Sequence, residues 1–312
     1  MSDIDDARTV LLSIPQFAGW HYAAITRLGG LTNRVFKIEG PQTICLRLAG
    51  EGTAEYINRA NEAQAAREAA RAGVSPEVLF SGAGDGALVT RFVDRAQTMS
   101  ADLFKSRPGA PRRAGEAFRR LHDSGAKFDF RFELFAMIDD YLKLLSTKTV
   151  ELPTGYHDVL REAETIRAAL AAHPLPIVAC HCDPLCENLL DTGERMWIID
   201  WEYSGMNDPM WDLGDLSVEG AFTPEQDEEL IAGYFGGEPR PDQRGRMVIY
   251  KAMCDLLWTL WGLIQHANNN PADDFWAYAS NRYSRCRALM ASPGFAAHVA
   301  AVAAGPTKGT TR

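Results

Sequence analysis

No long run of lysine and arginine occurs in this 312-residue chain, where 41 acidic residues face 32 basic ones for a formal charge of nine negative. Without a basic stripe to release counterions from a phosphate backbone, nucleic acid is excluded as an expected partner. The N-terminus MSDIDDARTV carries acids where an export signal needs a basic flank and an apolar core, so the expected compartment is the cytoplasm. An uncharged run at 288–307 reaches the length of a membrane span. It is mostly alanine and contains Pro293, Gly294, His298 and Pro306, which predicts a soluble C-terminal helix and tail and no membrane insertion. Six cysteines in a chain of this length supply no disulfide framework, and reduced thiols are expected. Repeats and low-complexity segments are also missing, apart from the tail GPTKGTTR.

What is present is enough apolar mass, 46% of residues, for one large core or two smaller lobes, and the length favours two. Between positions 24 and 48, the β-rich pieces Arg34-Val35-Phe36-Lys37-Ile38 and Thr43-Ile44-Cys45-Leu46-Arg47-Leu48 are separated by Gly29-Gly30 and Gly40-Pro41. The chain is expected to open with a small antiparallel sheet. Residues 58–72, NRANEAQAAREAARA, are rich in strong helix formers and stop at Gly73 and Pro76, which predicts a helix. Strand-like runs at 77–81 and 87–93 complete the sheet, giving a first lobe of residues 1–94. In 95–312, apolar residues recur at three and four spacing in 111–123, 131–146, 157–172, 225–235 and 244–267, so the second lobe is mainly helical. A strand at 176–179 and a hairpin of 188–190 and 196–199 about Asp191-Thr192-Gly193 interrupt the helices, and this short hairpin is expected to carry a cysteine and histidine cluster. The fold class is α+β.

That cluster is HCDPLCENLL, with Cys180 just ahead of it. Cys180, His181, Cys182 and Cys186 have the donor atoms of a tetrahedral zinc site. Structural zinc, however, uses paired ligands separated by a longer loop, and here three adjacent residues would have to converge on one ion. Alternate side chains of a strand also point to opposite faces, turning Cys180 and Cys182 away from His181. The thiols therefore read as small buried hydrophobes. Without them, His181, Asp183 and Asn188 form H-x-D-x-x-x-x-N, followed by Asp200 at the end of the apolar run Trp197-Ile198-Ile199. Phosphoryl transfer needs a carboxylate to take the proton of an attacking hydroxyl, and an amide plus a carboxylate to hold magnesium against a triphosphate. Asp183 fits the first role, and Asn188 and Asp200 fit the second. Alone, the pattern equally fits a His and an Asp capping an ordinary turn.

Further parts occur in the first lobe. Gly29-Gly30-Leu31-Thr32-Asn33 can present backbone N–H groups to phosphate oxygens, or be a common hairpin turn. A nucleotide-binding lobe also needs a cation on a strand and an acid on the following helix to position it, an order met by Arg47 and Glu62. Singly, Arg47 is also compatible with an edge-strand surface charge, and Glu62 with a first-turn helix acid.

With these parts in order, the chain resembles the choline and ethanolamine kinases, within the wider aminoglycoside phosphotransferase and protein-kinase-like superfamily, from about Leu28 to about Arg282. The likeness is densest in HCDPLCENLLDTGERMWIIDWEYSGMNDPMWDLGDLSVE, where I-D-W-E-Y followed by G-D-L is more specific than the loop motif. It implies a two-lobed protein-kinase-like fold, ATP as co-substrate and Mg2+ as cofactor. His181, Asp183 and Asn188 would form the catalytic loop, and Asp200 would take the place of the protein-kinase DFG aspartate. Gly30, Thr32, Asn33, Arg47 and Glu62 would face the nucleotide, with Arg47 in L-R-L-A-G replacing the family's usual lysine. Cys182 departs from the asparagine frequent in relatives.

The segment 256–265 puts Trp258 and Trp261 three residues apart on one helix face. Aromatic faces attract quaternary ammonium groups by about 0.5–2 kcal/mol per good contact, although composition alone would make the pair core residues. L-W-x-L-W-x-x-x-Q is similar to the family's choline-cage helix. The resemblance implies a cage of Tyr203, Trp258, Trp261 and Tyr278, with Glu219 and Asp183 adding negative potential. Glu219 alone reads equally as a solvated helix-end acid, and His122 as a helix-end packing residue. The implied function is an ATP-dependent kinase acting on a small aminoalcohol, foremost choline. Ethanolamine kinase, thiamine kinase and aminoglycoside phosphotransferase are alternatives. A non-catalytic nucleotide or small-cation binding protein on a kinase scaffold is the reading from another class, against which the intact Asp183, Asn188 and Asp200 argue.

Overall fold

The run Thr43–Leu48 sets Ile44 and Leu46 on one face, both fully buried, and turns Arg47 to the other. The structure, a computed structural model, describes residues 2–29, 33–50, 57–82 and 86–306. In it this run is the central strand of an antiparallel sheet made of β1 (Ala24–Arg27), β2 (Arg34–Glu39), β3 (Thr43–Leu48), β4 (Val78–Ser81) and β5 (Leu88–Arg91), ordered β1-β2-β3-β5-β4. Arg47 is flanked by Val35 on β2 and Leu88 on β5 and is 8% exposed, so it is no edge-strand surface charge.

The chain does not open with this sheet, contrary to expectation. Two helices, α1 (Asp3–Ser13) and α2 (Pro15–Ala18), come first, and Ala7, Leu11, Ile14 and Phe17 cover the apolar sheet face formed by Phe36, Ile38, Ile44, Leu46 and Val89. The local signal is a capping box in which Ser2 and Asp5 bond reciprocally at the N-terminus of α1.

Helix α3 (Arg59–Arg71) starts at Asn58, whose side chain accepts from the Ala60 and Asn61 N–H groups at 3.1 Å each. Its small residues decide where it packs. Ala65, Ala66 and Ala69 belong to the second, larger core, so α3 ties the sheet to the helical part of the molecule.

The larger core is assembled from α4 (Ala101–Ser106), α5 (Ala110–His122), α6 (Leu134–Leu145), α7 (Tyr156–Ala172), α8 (Met210–Glu219), α9 (Pro224–Phe235), α10 (Pro241–Ala267), α11 (Phe275–Met290) and α12 (Phe295–Ala304). The uncharged run at 288–307 is not one helix, because the segment at 291–294 separates α11 from α12. Helix α10 is long and apolar enough to cross a bilayer, yet 78% of its most apolar window is buried between α8, α11, α12 and α6, as for the central helix of a folded core. Two small sheets sit among these helices: β6 (Gln97–Thr98) with β8 (Leu189–Asp191) and β9 (Met196–Ile198), and β7 (Val178–Cys180) with β10 (Gly205–Asn207). Asp191, fully buried at the end of β8, accepts from Arg107 Nε at 2.8 Å and Arg113 Nη2 at 2.7 Å, fixing the hairpin to the start of α5.

Candidate active site

β7 ends at Cys180, and the chain then leaves the sheet. Cys182 adopts φ +68°, in the left-handed region, before the 3-10 turn Cys186–Asn188 delivers the chain to β8. The loop 181–188 therefore lies between two sheets and not within the hairpin that was expected to carry it. Strand alternation also fails as an argument at Cys182. Cys180, Cys182 and Cys186 are buried and reduced, as small hydrophobes should be.

One carboxylate organises this loop. Asp212, fully buried on α8, accepts from the backbone N–H of His181 at 2.7 Å and of Cys182 at 2.9 Å. His122 Nε2 lies 3.1 Å from the same carboxylate, and His122 Nδ1 lies 2.9 Å from the Tyr234 hydroxyl. His122 is thus more than a packing residue: it links α5 and α9 to the loop. His181 donates from Nε2 to the Ile199 carbonyl at 2.8 Å, and burial lowers its pKa, which keeps the imidazole neutral. It fastens the loop to the segment that carries Asp200.

Asn188 and Asp200 are brought side by side by the same segment. The Ile199 N–H donates to the Asn188 carbonyl at 2.9 Å, and Asn188 Nδ2 donates to the Asp183 carbonyl at 3.0 Å. Asp200 follows β9 with φ +65°. Burial and the neighbouring Glu202 push its pKa up to about 7, against the pull of Arg47, and its buried Oδ1 has no hydrogen-bond donor among the described residues. Asp183 is held well above the usual carboxylate range by burial, then by Asp200, Glu219 and Glu202. An orphaned carboxylate oxygen suits a hard, oxygen-seeking cation. Asn188 and Asp200 would hold magnesium there, where it neutralises triphosphate charge.

On the sheet side, Gly30 and Thr32 lie outside the described residues. Arg47 pairs with Glu62, so Glu62 is not simply a first-turn acid. The same guanidinium lies 3.1 Å from Glu202 Oε1 and 3.7 Å from Asp200 Oδ1, and donates to the Gly86 carbonyl at 3.2 Å. Arg59 adds bonds of 2.8 Å to Glu62 and 2.5 Å to Glu202, and Asn33 Nδ2 donates to Glu202 at 3.0 Å. Sequence reasoning missed Arg59, Glu202 and Asp212. Glu202 stands inside I-D-W-E-Y, but only the fold shows that it meets two arginines from the other lobe.

On the helical side, Trp258 and Trp261 of α10 meet edge to face with ring centroids 6.0 Å apart, and Tyr278 of α11 stands 5.7 Å from Trp261. All three rings are partly exposed while Leu257 and Leu260 beside them are fully buried, so the tryptophans are not simply core residues. Tyr203 is 39% exposed on the segment after Asp200. Glu219 is not a solvated acid. Arg282 of α11 grips both its oxygens, one at 3.0 Å, and also reaches Asp255 at 3.3 Å, so the negative potential expected of Glu219 is largely cancelled. Asp215, one turn earlier on α8, is 1% exposed, accepts from Cys254 Sγ at 3.0 Å and has a second oxygen without a partner among the described residues.

A carboxylate-bearing loop bonded to the segment of an aspartate that follows a strand, together with a sheet whose central strand offers an ion-paired arginine, is the arrangement of protein-kinase-like phosphotransferases. Residues 23–244 match the phosphotransferase enzyme family. The solved structure of a choline/ethanolamine kinase family protein from Mesorhizobium loti is 67% identical, with a TM-score of 0.91 over 97% of this chain and 99% of that one. The choline kinase LicA from Streptococcus pneumoniae is 25% identical, with a TM-score of 0.71 over 93% of this chain and 99% of that one. Protein LicA of Haemophilus influenzae is 26% identical over 287 residues, 88% of this chain and 82% of that one. The chain belongs to the choline/ethanolamine kinase family, a branch of the phosphotransferase enzyme family. It is a phosphotransferase acting on an alcohol.

Proposed function

We propose that the chain transfers the γ-phosphoryl group of ATP to the hydroxyl of choline. The observation that carries this reading is the cluster of three partly exposed rings, Trp258, Trp261 and Tyr278, in a cleft whose partly exposed acid, Glu219, is already held by Arg282. Aromatic faces attract a cation that has no hydrogen-bond donor, at about 0.5–2 kcal/mol per contact. Glu219 is already held by Arg282, and an aromatic wall suits a quaternary ammonium better than a donor-bearing primary one, which favours choline over ethanolamine and over the multiply charged aminoglycosides. Thiamine is separated from choline by size and is left to the assay below.

In this reading Asp183 orients the acceptor hydroxyl and takes its proton. Its elevated proton affinity, raised by burial and by Asp200, Glu219 and Glu202, makes it a stronger base than an exposed aspartate. Asp212 and His181 hold the loop, and Asn188 ties its side-chain amide to the Asp183 carbonyl. Arg47, positioned by Glu62, meets the triphosphate from the sheet side. Asn188 and Asp200 would hold magnesium, which would supply positive charge against the phosphate oxygens.

The test is ATP consumption with choline, ethanolamine, thiamine and kanamycin. Turnover is expected with choline at the highest kcat/KM, and Asp183→Asn is expected to abolish it while retaining ATP binding. No turnover with any of the four would remove the acceptor reading, and an active Asp183→Asn would remove the role given to that residue.

A further inference from the structure

We propose that Asp215 is a proton-linked counter-ion of the acceptor pocket, protonated while the pocket is empty and ionised when a cation enters it. The inference rests on the acceptor reading above. Asp215 is almost completely enclosed, one of its oxygens has no partner among the described residues, and the other accepts only a thiol at 3.0 Å. Its surroundings are short of positive charge. From α8 itself comes Glu219, and from the catalytic loop Asp183; α10 contributes Cys254 and Asp255, and α11 contributes Arg282 and Arg285. Both guanidiniums are committed elsewhere, Arg282 to Glu219 and Asp255 and Arg285 to Asp255. Lys251, earlier on α10, is held by Asp227 of α9 at 2.5 Å, and Asp212 faces the loop N–H groups and His122. Four carboxylates thus share two guanidiniums, which pair with Glu219 and Asp255; among the described residues neither Asp183 nor Asp215 is bonded to an arginine, and of these two it is Asp215 that has a fully enclosed oxygen without a donor.

An enclosed carboxylate without a counter-ion holds a proton in preference to a charge. Burial raises the proton affinity of Asp215 first; Glu219 and Asp183 add to it, against the Cys254 hydrogen bond and Arg282, which also offsets Glu219. The aromatic cluster is adjacent through the helices: Trp258 lies one turn beyond Cys254 on the same face, and Tyr278 stacks on Arg282 with the guanidinium 5.1 Å from its ring. The rings are thus joined to Asp215 through Cys254 on one side and to its neighbour Glu219 through Arg282 on the other, and a cation resting on them supplies the missing charge. One proton then leaves Asp215 for solvent as one cation enters, so the charge of the pocket is unchanged.

Choline carries a pH-independent charge, so any linkage belongs to the protein. Calorimetric titration of the full chain with choline, in buffers of different ionisation enthalpy, should show net release of up to one proton. The choline KM should fall as pH rises, by up to about tenfold per pH unit below the pKa of the linked group. Asp215→Asn should lose both the proton release and the slope relative to the ATP KM of the same variant. The same release and slope in Asp215→Asn would overturn the inference and assign the proton to another group. If that variant does not fold, the wild type decides: an infrared band of a protonated carboxyl that disappears on adding choline is expected, and its absence together with zero proton release overturns the proposal. Choline turnover without linkage removes this inference alone, whereas no turnover with any acceptor removes the proposed function as well.

Discussion

Replacing Gly115 with alanine sets helix propensity against packing, and the structure decides the sign. An added Cβ would lie 2.1 Å from the Leu230 carbonyl oxygen and 2.8 Å from the Tyr234 amide nitrogen, both backbone atoms of α9. Neither can swing aside, so α5 and α9 must separate by about 1 Å to restore ordinary contact. Alanine gains about 1 kcal/mol over glycine in a helix. Overpacking costs about 1–3 kcal/mol and occasionally more, and a clash with main chain belongs at the upper end. The expected net loss is about 2 kcal/mol. Gly233 is the reciprocal contact on α9, its Cβ falling 2.3 Å from the Arg112 carbonyl oxygen. Because one substitution already parts the helices, the double variant should lose less than the sum of the two. Separation also loads the Tyr234–His122–Asp212 bonds that hold the catalytic loop. Equilibrium urea denaturation should show a lower midpoint with an unchanged slope. A Gly115→Ala protein as stable as the wild type, or strict additivity with Gly233→Ala, would refute the reasoning.

Asp191→Asn should destabilise by about 3–5 kcal/mol in the same assay, because Arg107 and Arg113 lose the charge on a fully buried partner. The effect has a defined pH sign. Burial raises the Asp191 pKa but the two arginines outweigh it and hold it below the usual value, so its contribution is present above the ordinary carboxylate pKa and lost as pH falls through the lower folded value. The stability of the variant should accordingly fall less steeply at the acid end, as followed by urea midpoints across pH. Asp212→Asn leaves one acceptor oxygen where two backbone N–H groups and His122 converge, and should cost about 2–4 kcal/mol of stability with a larger loss in kcat than change in ATP KM. Trp258→Ala and Trp261→Ala should raise the choline KM far more than the ATP KM in steady-state kinetics. Equal effects on both substrates would mean that the rings only pack.

The legible parts of this protein are the ones whose signal is local. The helix over Arg59–Arg71 was readable from its alanines and the stop at Gly73, and Arg47, Glu62, Asp183, Asn188 and Asp200 were candidates because phosphoryl transfer needs those donor types; the structure joins Arg47, Glu62 and Asp200 in one ion-pair network. Helices α1 and α2 escaped notice because their apolar residues are few and their purpose, closing one face of a sheet, exists only once the sheet does. The family resemblance implied that Glu219 supplies negative potential. Arg282, 63 positions later, cancels it across two helices, a pairing that spacing does not reveal. Glu202 and Arg59 are in the same position: each looks like an ordinary surface charge, and 143 positions separate them.

Taken by itself, the sequence determined which chemistry is available. A loop with His181, Asp183 and Asn188, an aspartate after an apolar strand and two tryptophans on one helix turn are encoded in neighbouring residues, where backbone geometry converts spacing directly into position. The tertiary structure alone decided which of the charges are free to act. Whether a carboxylate is neutralised, orphaned or raised in proton affinity depends on which distant arginine reaches it and how much water remains. Those two quantities place Glu219 with Arg282, leave an oxygen of Asp200 and one of Asp215 without donors among the described residues, and bind the lobes through Arg47, Arg59 and Glu202.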